Sequence, residues 1–105
     1  MLAVPKPKRK LVFSDRARRD LQNIKEYTVA HWGHEQAATY IRQLYKKAVH
    51  TAAAPLIGKA VTHLNSQQKV RSISCGLHTI YYTFTDKENI IVRILHQSMD
   101  APAHL

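Results

Sequence analysis

The chain has 105 residues, the size of one small domain, and its 16 lysines and arginines against 7 acidic residues give a net charge of +9. A charge of this size favours acidic partners, namely nucleic acid, an anionic membrane surface or an acidic protein. The single cysteine, Cys75, excludes an internal disulfide.

Apolar runs are short throughout the sequence. None approaches the roughly 18 residues of a membrane span. The apolar run that follows the basic N-terminus is also too short for a secretion signal, which needs roughly 7 to 15 apolar residues. We therefore expect a soluble, cytoplasmic protein.

The first ten residues are predicted to form a basic, flexible arm that contains prolines. Four cations lie in it: Lys6, Lys8, Arg9 and Lys10. The arm is either an inert tail or a segment that a partner orders. One domain is expected over residues 11–100, followed by a tail over residues 101–105.

Two helices are predicted after a short strand at residues 11–13. Ser14 suits the N-cap of the first helix, and Gly33 suits its C-terminal end. Side chains on one face of this helix recur every three or four residues: Ala17, Leu21, Ile24, Thr28 and His31. The second helix is predicted over residues 34–54, with a stripe of its own: Ala37, Ile41, Leu44, Ala48 and Ala52. A link of one or two residues makes the pair an antiparallel hairpin.

The period changes to two in the last third of the chain, which is typical of strands. Strands are predicted at residues 70–74, 77–85 and 90–97, and residues 58–68 are predicted to be a loop. The order β-α-α-β-β-β indicates an α+β fold, in which a helical hairpin packs on one face of a three-stranded antiparallel meander.

Alternation along the last two strands predicts which side chains share a face. The core-facing pairs are expected to be Ile80 with Ile94 and Tyr82 with Val92, and His78 would then lie opposite His96 on the same side. The reverse face is expected to pair Tyr81 with Arg93 and Thr79 with Leu95. Arg71 joins that reverse face if the turn at Gly76 contains an odd number of residues.

This register explains why Arg93 interrupts the apolar run of IIVRILHQSMD (residues 90–100), because it points away from the core. The reverse face is either a solvated surface or a partner-binding surface, and apolar side chains on it favour the second interpretation. The candidate partner-binding residues are Arg71, Tyr81, Ile91, Arg93, Leu95, His96 and Met99.

Catalytic and metal sites have weaker support. Cleavage of RNA needs a general base, a general acid and cations. A nuclease would draw them from Arg71, Tyr81, Arg93 and His96. His31 and His34 straddle Gly33 and therefore share no assured helical face. We expect no metal and no cofactor.

Three segments together resemble the toxins of the RelE/ParE superfamily. They read SDRARRDLQNIKEYTVAHWGHEQAATYIRQL, VRSISCGLHTIYYTF and IIVRILHQSMD, and the similarity extends over residues 11–100. The closing segment is more similar to the ParE branch than to the RelE branch. The basic arm lies outside the similar region.

The resemblance implies the α+β fold described above and a toxin of a type II toxin–antitoxin module. Its partner would be a ParD-like antitoxin whose C-terminal segment wraps the toxin, and operator DNA would be contacted only through that antitoxin. ParE toxins inhibit DNA gyrase, which arrests growth and stabilises plasmids. RelE relatives instead cut mRNA in the ribosome, so a ribosome-dependent endoribonuclease is the alternative.

Overall fold

The computed structural model describes residues 9–62 and 69–105. Its strands are β1 (Lys10–Phe13), β2 (Lys59–Ala60), β3 (Arg71–Cys75), β4 (His78–Phe84) and β5 (Glu88–His96). Its helices are α1 (Asp15–Trp32), α2 (His34–Ala53) and the short α3 (Ala101–His104), and a single 3₁₀ turn spans Pro55–Ile57. No helix in the described ranges is long and apolar enough to cross a membrane.

The five strands form one sheet in the order β1-β5-β4-β3-β2. The α+β class and the helical hairpin are confirmed. The three-stranded antiparallel meander is confirmed as β3, β4 and β5, and β1, for which no partner was predicted, runs parallel to β5. The chain leaves β1, passes through both helices and returns to the same edge only with its last strand.

Both ends of the sheet extend beyond the predicted strands. β2 lies within the segment predicted to be a loop, of which residues 63–68 fall outside the described ranges. At the other end, Lys10 belongs to β1, and Arg9 donates to the carbonyl of Thr85 and lies over the ring of Phe84. The rest of the predicted arm is outside the described ranges, and the predicted C-terminal tail contains α3.

The predicted ends of α1 are confirmed at both residues. Ser14 Oγ accepts the N–H of Ala17 at 3.0 Å, as an N-cap does, and donates to the carbonyl of Val92 on β5 at 2.9 Å. Gly33 ends the helix with φ of 91°, a conformation that favours glycine. One serine therefore fixes both the start of α1 and its position on the sheet.

The core lies between the helical hairpin and one face of the sheet. Its buried members are Ala17, Ile24, Leu44, Ala48, Cys75, Ile80, Tyr82, Ile91 and Ile94. The Tyr82 hydroxyl donates to the carbonyl of Pro55 at 2.6 Å and accepts the N–H of Gly58 at 3.0 Å. A side chain at Gly58 would collide with that hydroxyl, so the glycine lets the backbone approach it. These contacts hold the segment that leads into β2.

A bulge in β5 changes the predicted register. Ile80 pairs with Ile94 and Tyr81 with Arg93, as expected, but Tyr82 pairs with Ile91 and not with Val92. An extra residue on one strand moves the side chains on one side of it to the opposite face, and here these are the residues of β5 that precede Val92. Ile91 is consequently fully buried in the core. Its prediction as a partner-binding residue on the reverse face was therefore wrong.

Arg71 lies on the core-facing side of the sheet and not on the reverse face that was considered for it. The turn between β3 and β4 consists of Gly76 and Leu77, an even number, and Arg71 pairs with Tyr82 on the core-facing side. Its guanidinium reaches past the core and donates to the carbonyl of Gly58, at 3.0 Å from Nε and 2.6 Å from Nη2. Arg71 therefore supports the segment before β2 and does not join Tyr81 and Arg93.

Candidate functional site

A groove of about 700 Å³ lies between α1, the start of β4 after the Gly76 turn and the end of β5. Its rim is made of large side chains that the fold leaves exposed: Tyr27 and Trp32 from α1, Leu77 from the turn, and Met99 after β5. Trp32 is 67% exposed and Leu77 is 57% exposed. Apolar side chains clustered around a concavity are typical of a binding surface.

The two rim side chains of α1 lie outside the face by which this helix packs on the core. Ile24 of α1 packs into the core, whereas Tyr27 and Trp32 lie at the edge of the same stripe. Tyr27 stacks on His31 with ring centroids 3.9 Å apart. This contact connects neighbouring turns of α1 and holds the Tyr27 ring at the groove.

The floor of the groove carries two histidines from adjacent strands. His78 opens β4 and His96 closes β5, and the two residues pair in the predicted register. Their ring centroids are 5.4 Å apart and the planes are nearly perpendicular, at 87°. Both side chains are half-buried. Their imidazole nitrogens make the floor of the groove polar, whereas its rim is apolar.

Tyr40 of α2 connects this floor to the Gly76 turn. Its hydroxyl lies 2.6 Å from Nδ1 of His78 and accepts the N–H of Leu77 at 3.0 Å. A side chain at Gly76, where φ is 59°, would lie 2.6 Å from the Tyr40 ring. The close approach of ring and backbone therefore depends on the glycine.

Burial shifts the titration of both partners in this contact. Desolvation lowers the pKa of His78 below its ordinary value of 6.5, and the proximity of His96 lowers it further. Desolvation also raises the pKa of Tyr40 above 10.0. Both shifts favour the uncharged forms, so the contact between Tyr40 and His78 is a neutral hydrogen bond near pH 7.

Arg93 lines the groove but is not free to act there. Its Nε donates to Asp20 Oδ2 at 2.8 Å and its Nη2 to Oδ1 at 3.0 Å, and its Nη1 donates to the carbonyl of His104 in α3 at 2.9 Å. The hydrogen bonds with Asp20 raise the pKa of Arg93. The expectation that Arg93 points to an open surface was wrong, since its head lies in this ion pair.

The predicted partner-binding residues divide between the groove and other places. Four of them line the groove: Arg93, Leu95, His96 and Met99. Leu95 is only 2% exposed, which leaves little of its side chain for a partner. Tyr81 is half-buried and lies outside the groove lining.

Sequence reasoning missed the aromatic part of the groove. Tyr27 and Trp32 flank the apolar stripe of α1, and large aromatic side chains at the edge of a stripe are also positions from which a second surface can be built. Tyr40 likewise lies at the edge of its stripe in α2. Their common location in one groove depends on how the hairpin packs on the sheet, which a single stripe does not reveal.

The four residues of the alternative nuclease set do not come together in one place, although Tyr81 pairs with Arg93 and Arg93 shares the groove with His96. Arg71 and Arg93 lie on strands separated by β4, and each guanidinium is bound to acceptors of the chain itself. His96 Nδ1 is bound to Ser98, and Tyr81 lies outside the groove in which His96 stands. General acid–base catalysis requires both groups within hydrogen-bond reach of one substrate.

Comparison with known proteins identifies the family to which the chain belongs. The model of the family described as the ParE toxin of the type II toxin–antitoxin system parDE matches residues 11–101. Toxin ParE1 of Mycobacterium tuberculosis is 36% identical over 95 residues, which cover 90% of this chain and 95% of that toxin. Toxin ParE1 of Caulobacter vibrioides is 39% identical over 92 residues, covering 88% of this chain and 93% of that toxin.

Solved structures agree in fold. A chain of the chromosomal ParDE toxin–antitoxin system from P. aeruginosa superposes with a TM-score of 0.71 at 19% identity, covering 85% of this chain and 96% of that chain. A chain of the RelBE2 toxin–antitoxin complex from Mycobacterium tuberculosis gives 0.64 at 17% identity, covering 90% and 97%. Fold and sequence together define the class as a RelE/ParE superfamily toxin. Within that class, the chain belongs to the ParE toxin family of type II toxin–antitoxin systems.

Proposed function

We propose that this toxin arrests growth in the cytoplasm by binding and inhibiting DNA gyrase, and that a ParD-like antitoxin neutralises it. The observation that carries the proposal is the open groove, whose rim exposes large apolar side chains in a toxin of the ParE family. Such a surface suits inhibition by binding, because a few well-placed aromatic and aliphatic anchors supply most of the energy of an interface.

The charge of the chain supports a protein antitoxin of opposite character. With a net charge of +9, the toxin attracts an acidic segment over long range, and the groove gives that segment an apolar place to dock. A segment that is disordered when free can bury an apolar face in the groove as it folds. Both the antitoxin and gyrase are thus proposed as protein partners, and operator DNA is reached only through the antitoxin.

The nuclease alternative has less support from the geometry. Positioned acid–base pairs accelerate a reaction by about 10² to 10⁴, but only where both groups reach the substrate. In this chain the two arginines of the set are engaged with Asp20 and with the Gly58 carbonyl, on opposite sides of β4. Binding without chemistry needs no such convergence.

Supercoiling by purified gyrase at rising toxin concentration tests the proposal, beside mapping of mRNA 5′ ends after induction in cells. We expect supercoiling to fall and the mRNA ends to stay unchanged. An Ile91→Asp variant serves as the control, because it disrupts the core while remaining strongly cationic, and it should leave gyrase active. Unimpaired supercoiling together with cuts at codon positions would replace this proposal with the nuclease.

A further inference from the structure

We propose that the histidine floor of the groove recognises a carboxylate, so that the protein segment docking there carries an aspartate or glutamate beside a large apolar side chain. This inference rests on the proposed function, which makes the groove a site for a protein partner. It adds the chemistry of the contact: His78 and His96 both line the groove, and each has an N–H donor at Nε2 to offer a ligand.

The proton of His96 is assigned by its neighbour Ser98. The backbone N–H of Ser98 donates to Nδ1 of His96 at 3.1 Å, and the Ser98 hydroxyl lies 2.8 Å from the same nitrogen. A backbone N–H can only donate, so Nδ1 must offer its lone pair. The neutral ring of His96 therefore carries its proton on Nε2.

The proton of His78 is assigned by the length of its contact with Tyr40. The distance of 2.6 Å between the Tyr40 hydroxyl and Nδ1 suits an O–H donor better than an N–H donor, whose usual range starts at about 2.7 Å. The hydroxyl accepts the N–H of Leu77 and also lies 3.2 Å from the carbonyl of Cys75, so its single proton goes to the nearer acceptor, which is the histidine. His78 thus also carries its proton on Nε2.

The chain does not occupy these two donors with a carboxylate of its own. Among the charged groups around the pair, Asp20 of α1 is the acid close enough to influence the pKa of His78. That carboxylate is bound by Arg93 and by the N–H of Ile94 at 2.9 Å. In residues 9–62 and 69–105, neither histidine makes a side-chain hydrogen bond through Nε2.

The surroundings select a carboxylate over other acceptors. A carboxylate offers two oxygens and can accept from two neighbouring N–H groups at once, and a charged acceptor makes a stronger bond than a neutral carbonyl. Tyr27, Trp32 and Leu77 around it fit an apolar neighbour on the same segment. The two histidines would hold one acidic residue of the partner, and the rim would hold an apolar residue close to it on the same segment.

Two small probes test whether the groove prefers a carboxylate beside an apolar group. Indole-3-propanoate carries an apolar ring and a carboxylate, and indole-3-propanamide differs from it only in the charged group. Binding of each to the toxin is followed by the ¹⁵N resonances of the histidine rings. We expect the Nε2–H tautomer for His78 and His96 in the free toxin, and the acid to bind roughly tenfold more tightly than the amide.

A His96→Phe variant should lose the preference for the acid, whereas His50→Phe, which changes an exposed histidine of α2 outside the groove, should keep it. The ring tautomers of the unaltered toxin provide a readout that does not depend on how the variants fold.

Equal binding of acid and amide, or no saturable binding of either up to about 20 mM, would overturn the inference, since the groove would then not select a carboxylate. Tighter binding of a single-stranded oligonucleotide at the same two rings would also overturn it, in favour of nucleic acid. Gyrase and antitoxin are absent from these measurements. A toxin that inhibits supercoiling without preferring the acid would therefore refute only this inference, and the converse result only the proposed function.

Discussion

Asp20 of α1 and Arg93 of β5 form a two-point ion pair, with both carboxylate oxygens bound by the guanidinium at 2.8 and 3.0 Å. The same carboxylate accepts the N–H of Ile94 at 2.9 Å. β1 pairs with β5 only as far as Ile91, so beyond that residue no strand within residues 9–62 and 69–105 neighbours this edge of β5. Asp20 supplies the acceptor that a strand would have provided, and it fastens α1 to the sheet.

Arg93→Ala should therefore destabilise the fold, by about 3 kcal/mol, because it leaves a largely buried carboxylate without its cation. The side chains of Arg93 and Asp20 are 13% and 12% exposed. Urea denaturation followed by circular dichroism measures the change in the free energy of unfolding.

Arg18→Ala is the matched control, because Arg18 bonds Asp15 at 3.1 Å with side chains 65% and 84% exposed. An exposed pair of this kind contributes at most about 1 kcal/mol. Equal losses in the two variants would show that the Asp20 contact does not hold in solution.

Adjacent isoleucines of β5 test the bulge. Ile91→Ala should cost about 2 to 5 kcal/mol, since Ile91 is fully buried in the core. Ile90→Ala removes the same atoms from a half-buried position and should cost less than about 1.5 kcal/mol. Thermal or urea unfolding of both variants gives the comparison, and the reverse ranking would restore the unbulged register.

The groove rim should contribute to function and not to stability. Leu77→Ser should leave the free energy of unfolding nearly unchanged, because this side chain is 57% exposed, but it should weaken growth arrest and antitoxin binding. Leu56→Ser is the control, since Leu56 is 70% exposed and does not line the groove. Colony counts after induction and titration calorimetry with the antitoxin measure both effects. Similar behaviour of the two variants would argue against the groove.

Protonation of His78 should make the fold less stable in mild acid. Desolvation holds its pKa in the folded state below the ordinary value of 6.5, so the unfolded chain takes up the proton first as the pH falls. The free energy of unfolding contributed by this group should therefore be highest above pH 6.5 and decline below it, until the folded state is protonated as well.

Unfolding midpoints measured between about pH 7.5 and 5 give this slope. His78→Gln removes the titrating group and should flatten the profile relative to the unaltered chain, even if the overall stability is lower. An unchanged slope in the variant would assign the pH dependence to other groups.

The helical part of this fold could be predicted from local chemistry. Ser14 and Gly33 mark the ends of α1 through properties of single residues, namely a capping hydroxyl and tolerance of positive φ. The stripes of α1 and α2 likewise follow from helical periodicity. For the sheet, alternation gave the correct partners for Ile80, Tyr81 and His78.

The remaining errors concern features decided by contacts between distant residues. Nothing local distinguishes Val92 as a bulge, because the two residues before it, Ile90 and Ile91, are β-branched like Val92 itself. The position of Arg71 depended on whether the Gly76 turn held an odd or even number of residues. β2 is held by contacts of Tyr82 and Arg71 with the Gly58 segment, and a strand of two residues has no period of its own. The groove depends on the packing of the hairpin on the sheet.

The pairing of the first strand with the last has a consequence for synthesis on the ribosome. β1 and both helices are made long before β5, and until β5 appears, β1 has no strand to pair with and Ser14 has no Val92 carbonyl to bind. Long-range pairings of this kind form late in folding. The groove also lacks His96 and Met99 until then. A ligand of the groove therefore meets only a chain that already contains β5, and a nascent toxin cannot yet present the surface through which we propose that it acts.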